Sequence, residues 1–144
     1  MRRLIAIFFL VAAVTPLSSQ TLEQLVNICA GQIGDATYLR DFQVDLDAAE
    51  PGHQAPVARY SMVLNRNTQY RIAICNSETS PGRGIIQLYD NRGLIGSNYS
   101  ETTGEFYNYF DIQIQSSGVY HIFISFEDGR AGTAVGILSY VKRL

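Results

Sequence analysis

Residues 117–126 read SGVYHIFISF, a Ser-Gly turn followed by large side chains at every second position. Successive side chains of a β-strand point to opposite faces, so this spacing predicts a strand that begins after Gly118 and has one apolar face. The residues on that face are Tyr120, Ile122, Ile124 and Phe126. His121 has the opposite parity, which places it on solvent or on a second layer. The Tyr120 ring can be buried while its hydroxyl stays near the strand end.

Six further segments show strand signals between turn residues. They cover residues 42–47, 60–64, 70–75, 85–89, 110–115 and 133–141. The tight turn at residues 65–67 predicts that segments 60–64 and 70–75 form a hairpin. About seven short strands separated by turns favour the all-β class and an antiparallel β-sandwich.

One helix precedes the strands. Thr21 and Gln24 have the spacing of a capping box, and Gly31 marks the end of the helix. Its apolar face consists of Leu22, Leu25, Val26 and Cys29. A chain of 144 residues is too short for two ordinary domains. We therefore predict a single domain over residues 21–144, with one short helix at its start.

The first twenty residues have the features of a secretory signal peptide. Arg2 and Arg3 precede an apolar run from Leu4 to Val14, and small polar residues follow. A membrane anchor is the alternative, but this run would rise only about 16 Å as a helix, roughly half of a bilayer's hydrocarbon core. We predict that residues 1–20 are cleaved and that the chain is exported, periplasmic or secreted, without membrane insertion after cleavage.

The composition excludes two classes of protein. Hydrophobic residues make up 47% of the chain and charged residues 17%, which is incompatible with a disordered tail. The 11 Lys and Arg residues against 13 Asp and Glu residues give a charge of −2. Removal of Arg2 and Arg3 leaves nine cations against 13 anions, a charge of −4. A nucleic-acid partner held by a basic surface is therefore not expected.

Cys29 and Cys75 are the two cysteines of the chain and lie 46 positions apart. In an oxidising compartment such an isolated pair predicts a structural disulfide, with two independent buried thiols as the alternative. His53 and His121 are the two histidines, and neither has zinc-ligand spacing to a cysteine. We therefore predict no metal site built on the cysteines.

No enzyme motif emerges from the sequence. It contains no Gly-x-Ser-x-Gly elbow, no His-Glu-x-x-His helix and no phosphate-binding loop. We predict a non-catalytic protein without a cofactor. Oxygen-rich turn residues leave calcium binding open as an alternative to ordinary turn capping. These residues are Asp90, Asn91, Asn98, Glu101 and Asp128.

Three motifs carry a likeness to a known family. They are NTQYRIAI at residues 67–74, IQLYDNRGLIGSN at residues 86–98 and SGVYHIFI at residues 117–124. Together they resemble the bacterial pre-peptidase C-terminal domain, over roughly residues 60–140. The resemblance implies a jelly-roll-like β-sandwich of about seven to eight strands, of the kind appended to secreted enzymes. This chain departs from that setting because it lacks the peptidase.

The stretch from Ser97 to Tyr109, here called the aromatic loop, is the best candidate for a binding site. It places aromatic side chains among small polar and acidic residues without regular alternation. The candidate binding residues are Tyr99, Phe106, Tyr107 and Tyr109. Such rings can anchor a protein partner or stack on sugars. Alternatively, Phe106 and Tyr109 plug the end of the sandwich.

We therefore predict an exported binding or assembly module that makes protein contacts in the bacterial cell envelope or in a secreted complex. The alternative is a carbohydrate-binding module whose loop residues Tyr99, Tyr107 and Tyr109 contact a glycan.

Overall fold

The computed structural model describes residues 20–144, and the signal peptide predicted over residues 1–20 lies outside the described residues except for its last position. Helix α1 (Leu22–Ala30) comes first, and a short 3-10 helix (Glu127–Gly129) precedes the last strand. The strands are β1 (Thr37–Leu46), β2 (Ala58–Leu64), β3 (Thr68–Asn76), β4 (Gly84–Tyr89), β5 (Leu94–Ser97), β6 (Tyr109–Ile114), β7 (Gly118–Phe126) and β8 (Gly132–Arg143). The predicted capping box is present, because Thr21 and Gln24 each accept the backbone N–H of the other.

The strands form nested antiparallel pairs, as in one long hairpin that is folded over into two sheets. β4 pairs with β5, β3 with β6, β2 with β7 and β1 with β8, all antiparallel. The additional pairs β3–β8 and β4–β7 produce two four-stranded sheets. Sheet A has the order β1-β8-β3-β6, and sheet B has the order β2-β7-β4-β5. This is jelly-roll topology, so the predicted all-β, jelly-roll-like sandwich is confirmed.

The hairpin predicted from segments 60–64 and 70–75 is wrong. β2 pairs with β7 in sheet B, whereas β3 pairs with β6 and β8 in sheet A. The turn at residues 65–67 carries the chain from one sheet to the other. Asn67 has a φ of 56°, and its N–H donates to the carbonyl of Ile114 at 2.8 Å. Alternation of side chains identifies the inward face of a strand but not its partner, so the local pattern could not exclude this crossing.

The main core lies between the two sheets. The predicted inward face of β7 is buried as expected, and Ile122 and Ile124 have no exposed surface. They pack with inward residues of every strand, including Phe42, Ile72, Ile86 and Ile114. The Tyr120 hydroxyl donates to the Ser116 carbonyl at 2.6 Å, and Ser116 lies just before the start of β7. The core face of β7 predicted from the alternation of its side chains is therefore confirmed.

Helix α1 covers the outer face of sheet A and forms a second core. Leu25, Cys29 and Ile33 pack against outward residues of β3 and β8, among them Ala73 and Val135. The disulfide predicted between Cys29 and Cys75 is present, with a Cα–Cα distance of 5.8 Å. It joins α1 to β3. Sheet A is consequently covered on both faces, while no element of residues 20–144 packs on the outer face of sheet B.

The connections between strands leave the sandwich at two opposite ends. One end, here called the turn end, carries the turns at residues 65–67, 90–93 and 115–117, together with residues 142–144. The other, here called the loop end, carries residues 47–57, 77–83, 98–108 and 127–131. Since the aromatic loop is a β5–β6 connection, it belongs to the loop end.

Candidate functional site

The aromatic loop crosses from the edge of sheet B to the edge of sheet A and is held by one buried side chain. Asn98 is only 1% exposed. Its side-chain oxygen accepts the N–H of Ile86 at 2.7 Å, and its amide donates to the carbonyls of Gly84 at 3.1 Å and Tyr107 at 3.4 Å. The Tyr107 N–H donates in turn to the Asn98 carbonyl at 2.7 Å. Asn98 therefore joins the start of the loop to β4 and, through its bonds with Tyr107, holds the two flanks of the loop together.

Two of the four predicted binding residues pack against each other as a tilted aromatic pair. The rings of Tyr99 and Phe106 lie 4.7 Å apart between centroids, and both side chains are half-buried. The Arg83 guanidinium covers Phe106 at 4.1 Å from the ring centroid, and its Nε lies 3.3 Å from Glu127 Oε1. Partial burial acts to raise the pKa of Glu127, but hydrogen bonds from Arg83 outweigh it and hold that pKa below its usual value. This pair stabilises the loop and offers limited surface to a ligand.

Tyr109 stands on the outer face of sheet A above an arginine. The Arg71 guanidinium lies 4.2 Å from the Tyr109 ring centroid and donates to both carboxylate oxygens of Asp111, at 2.8 and 3.0 Å. It also donates to the carbonyl of Ile33 at 2.9 Å. The hydrogen bonds from Arg71 lower the pKa of the Asp111 carboxyl. Tyr109 itself remains 44% exposed, so its ring does not plug the sandwich end.

Tyr107 is the most exposed of the four predicted residues, at 51%. Its hydroxyl donates to Glu105 Oε2 at 2.7 Å, and this hydrogen bond raises the pKa of the tyrosine. The structure therefore packs Tyr99 against Phe106 and leaves Tyr107 and Tyr109 as the two exposed rings of the loop.

The two ends of the sandwich carry opposite charge. At the loop end, seven carboxylates and two arginines give a formal charge of −5. At the turn end, four cations and Asp90 give +3. The four cations are Arg66, Arg92, Lys142 and Arg143, all of them exposed. This cluster is not evident from the sequence, because its members are separated along the chain and meet only through the topology. In an antiparallel sandwich every second strand connection lies at the same end, so summing the charges of alternate connections would have identified it.

Shallow depressions surround the β6–β7 turn at the turn end. One of about 360 Å³ lies between Arg66 and Arg143 and reaches Ser117. Another of about 390 Å³ lies between Arg92 and Ser117, and a third of about 210 Å³ adjoins Arg92 and Ile112. None of these three includes a predicted residue of the aromatic loop.

Two of the five oxygen-rich turn residues, Asp90 and Asn98, use their side chains to hydrogen-bond the backbone. Asp90 Oδ1 accepts the N–H groups of Arg92 at 2.8 Å and Gly93 at 3.0 Å, which is ordinary turn capping. The Asn98 side chain hydrogen-bonds to the backbone of Ile86 and Gly84. Over the described part of the chain, no group of three or more His, Cys, Asp and Glu residues is arranged to hold a metal ion.

The two histidines are in different settings. His121 Nδ1 lies 2.9 Å from the Ser61 hydroxyl on the uncovered face of sheet B. Within residues 20–144 no carboxylate is hydrogen-bonded to this pair. A serine nucleophile needs a base that a third group orients, and the pair lacks that group here. His53 is exposed near Glu50 in the β1–β2 connection.

Comparison with known proteins identifies the fold. No family model and no curated protein matches the chain. Among solved structures, the chain is similar to Aeromonas hydrophila PliG, described as a periplasmic lysozyme inhibitor of g-type lysozyme, with a TM-score of 0.53 and 12% sequence identity. The similarity covers 76% of this chain and 92% of PliG. At this identity the comparison establishes a shared β-sandwich architecture.

One further observation concerns the compartment. The Cys29–Cys75 disulfide fits an exported protein, because disulfides persist in oxidising compartments. No helix within residues 20–144 is long and apolar enough to cross a membrane.

Proposed function

We propose that this chain is an exported, non-catalytic module that binds a protein partner in the bacterial envelope or in a secreted complex. The observation that carries the proposal is the construction of the aromatic loop. Two exposed tyrosines, Tyr107 and Tyr109, stand on a backbone that buried Asn98 fixes in place. A fixed backbone reduces the ordering entropy that binding would otherwise cost.

Tyrosine suits such a surface for physical reasons. Its ring provides a large contact area and loses little rotamer freedom on binding, while its hydroxyl can pair at a wet interface. The −5 formal charge of the loop end favours a partner that presents a positive patch there, since complementary charge accelerates association.

The similarity to PliG supports a protein partner, since that periplasmic protein is described as an inhibitor of a lysozyme. A g-type lysozyme is therefore the first defined partner to test. The resemblance to the pre-peptidase C-terminal domain, which we retain as a proposal, also associates this kind of sandwich with secreted enzymes. The predicted signal peptide and the disulfide support export.

The partner is tested by crosslinking from the loop. A photoreactive phenylalanine analogue replaces Tyr107 in cells that express the protein natively, and a control carries it at Val63, which is 68% exposed on β2. We expect a discrete crosslinked protein from position 107 that is absent from position 63. Identical products from both positions, or none from position 107, would contradict the proposal.

Two defined assays complete the test. Immobilised exported protein is challenged with purified g-type lysozyme, and the Tyr107→Ala/Tyr109→Ala variant should weaken any specific binding by about tenfold or more. In parallel, cell-wall polysaccharide is used in a pull-down. If the polysaccharide binds and the same variant abolishes that binding, the carbohydrate-binding alternative replaces the protein-binding proposal.

A further inference from the structure

The turn end carries cationic side chains that form no hydrogen bond or salt bridge with the rest of the described molecule. The five other arginines of residues 20–144 all have partners: Arg40 and Arg59 stack on aromatic rings, Arg71 and Arg83 pair with carboxylates, and Arg130 donates to the Pro81 carbonyl. By contrast, Arg66, Arg92, Lys142 and Arg143 make no side-chain hydrogen bond or salt bridge within residues 20–144. The free cations are thus concentrated at one end of a chain whose net charge is negative.

A fixed backbone frames the depression between Arg66 and Arg143. The Arg66 N–H donates to the Ser117 hydroxyl oxygen at 2.8 Å, which joins the β2–β3 turn to the β6–β7 turn. The Leu144 N–H donates to the Asn67 carbonyl at 2.7 Å, which joins the end of β8 to the same turn. The resulting depression of about 360 Å³ is predominantly polar and also contacts Asn65 and Thr68. Its walls are preorganised, while both guanidinium groups remain available.

We propose that this depression is a second binding site, for carboxylate groups on an acidic surface of a protein partner. The planar guanidinium fork of arginine matches the two oxygens of a carboxylate, and charge-assisted hydrogen bonds of this kind are the stronger ones. The Ser117 oxygen accepts from Arg66, so its own O–H is available to donate to an anion. Arg92, on the other side of the β6–β7 turn, extends the positive region.

The charge distribution favours a local acidic patch over an extended polyanion. The positive region is confined to one end of the sandwich, and the opposite end carries a formal charge of −5. A long polyanion would extend beyond the turn end and meet this repulsion, whereas a cluster of carboxylates on a folded protein meets the turn end alone. This site shares no residue with the aromatic loop, so it stands or falls independently of the function proposed above.

The test measures binding of defined anions by amide NMR shifts, using protein exported to the periplasm of an expression host. The probe is a hexaglutamate peptide, with hexaglutamine as the neutral control and an oligogalacturonate as the carboxylate-bearing glycan. We expect hexaglutamate to shift the amides of residues 65–68, 116–118 and 143, and the effect should weaken strongly as salt rises to about 150 mM. Hexaglutamine should produce no shifts.

Two double variants that each remove two positive charges test whether the depression between Arg66 and Arg143 is the binding site. Arg66→Gln/Arg143→Gln should weaken hexaglutamate binding about tenfold, because two exposed guanidinium–carboxylate pairs are lost. Arg59→Gln/Arg130→Gln should stay within about twofold of the wild type, because those arginines lie elsewhere. Equal weakening of hexaglutamate binding in both variants, or amide shifts confined to other regions, would show that this depression is not the binding site. Tighter binding of oligogalacturonate than of hexaglutamate would contradict the proposal that the partner at this site is a protein.

Discussion

The two ends of the sandwich use arginine in opposite ways. At the loop end, Arg83 covers Phe106 and pairs with Glu127, and Arg130 donates to a backbone carbonyl. Nearby, Arg71 supports Tyr109 and pairs with Asp111. At the turn end, Arg66 lies in the β2–β3 turn and Arg143 at the end of β8, and both are exposed without a side-chain partner in the described chain.

This difference distinguishes arginines that stabilise the fold from arginines that are free to bind a partner. An arginine held by a carboxylate and a ring orders its surroundings, and its substitution should reduce stability. An exposed arginine without partners contributes little to stability, so its substitution should change binding alone. Substitutions at the two ends should therefore differ in their effect on stability.

Asn98→Ala should have the largest effect on stability. It leaves the buried Ile86 N–H and Gly84 carbonyl without their partners, and each such group costs about 1–3 kcal/mol. We expect unfolding to become easier by about 3 kcal/mol, seen as a melting temperature about 10 °C lower. Asn91→Ala, in the exposed turn between β4 and β5, is the control and should stay within about 0.5 kcal/mol. Equal effects would mean that Asn98 does not organise the loop.

Much of this fold was predictable because period-two alternation and local turn chemistry act over short distances. The core face of β7, the capping box of α1 and the cysteine pair were all identified from the sequence. The partner of β2 was not, because alternation is equally satisfied in either sheet. Asn98 was interpreted as a turn residue with an available oxygen. Its burial depends on the β4–β5 hairpin folding against the aromatic loop, which no local pattern reveals.

The candidate site was predictable in composition but not in arrangement. The sequence identified a loop rich in tyrosine, but it could not distinguish the packed ring of Tyr99 from the exposed ring of Tyr107. The turn-end cluster escaped notice because Arg66 and Arg143 are 77 positions apart in the numbering and approach each other only after both sheets have formed.

Arg71→Ala should be clearly destabilising, whereas Arg66→Ala should not. Loss of Arg71 leaves the Ile33 carbonyl without its side-chain donor, leaves Asp111 with only the Gln69 amide as a side-chain donor, and removes the support beneath Tyr109. We expect a cost of about 2 kcal/mol for Arg71→Ala and less than about 0.5 kcal/mol for Arg66→Ala. Urea unfolding of the two variants measures both values. A similar cost at both positions would remove the contrast between the ends.

Acid should weaken the pairs made by Asp111 and Glu127. Both carboxyls have a pKa below the ordinary values of 3.8 and 4.5, because Arg71 and Arg83 hydrogen-bond to their charged forms. The unfolded chain therefore takes up these protons first as the pH falls. The stability that the pairs contribute is present above about pH 4.5 and is lost as the pH falls through the lower folded values.

Urea unfolding at pH 6 and pH 3 tests this pH dependence. Asp111→Asn should lose less stability than the wild type between these two values, by about 1 kcal/mol or less because the pair is partly exposed. Glu101→Gln removes a carboxylate of the loop end that has no arginine partner in the described chain. It should follow the wild-type curve, and a slope changed equally by both variants would indicate a general charge effect.

Tyr107→Ala should have the smallest effect on stability and a clear effect on binding. Its ring is more than half exposed, and its hydroxyl hydrogen bond to Glu105 lies in solvent, so we expect a change within about 0.5 kcal/mol. Tyr99→Ala, which removes the ring packed on Phe106, is the matched comparison and should cost about 1–2 kcal/mol. Melting temperatures separate these two outcomes, and affinity for the crosslinked partner then reports on binding. If Tyr107→Ala is destabilising like Tyr99→Ala, both rings maintain the loop, and the free arginines of the turn end become the stronger candidate for the contact with the partner.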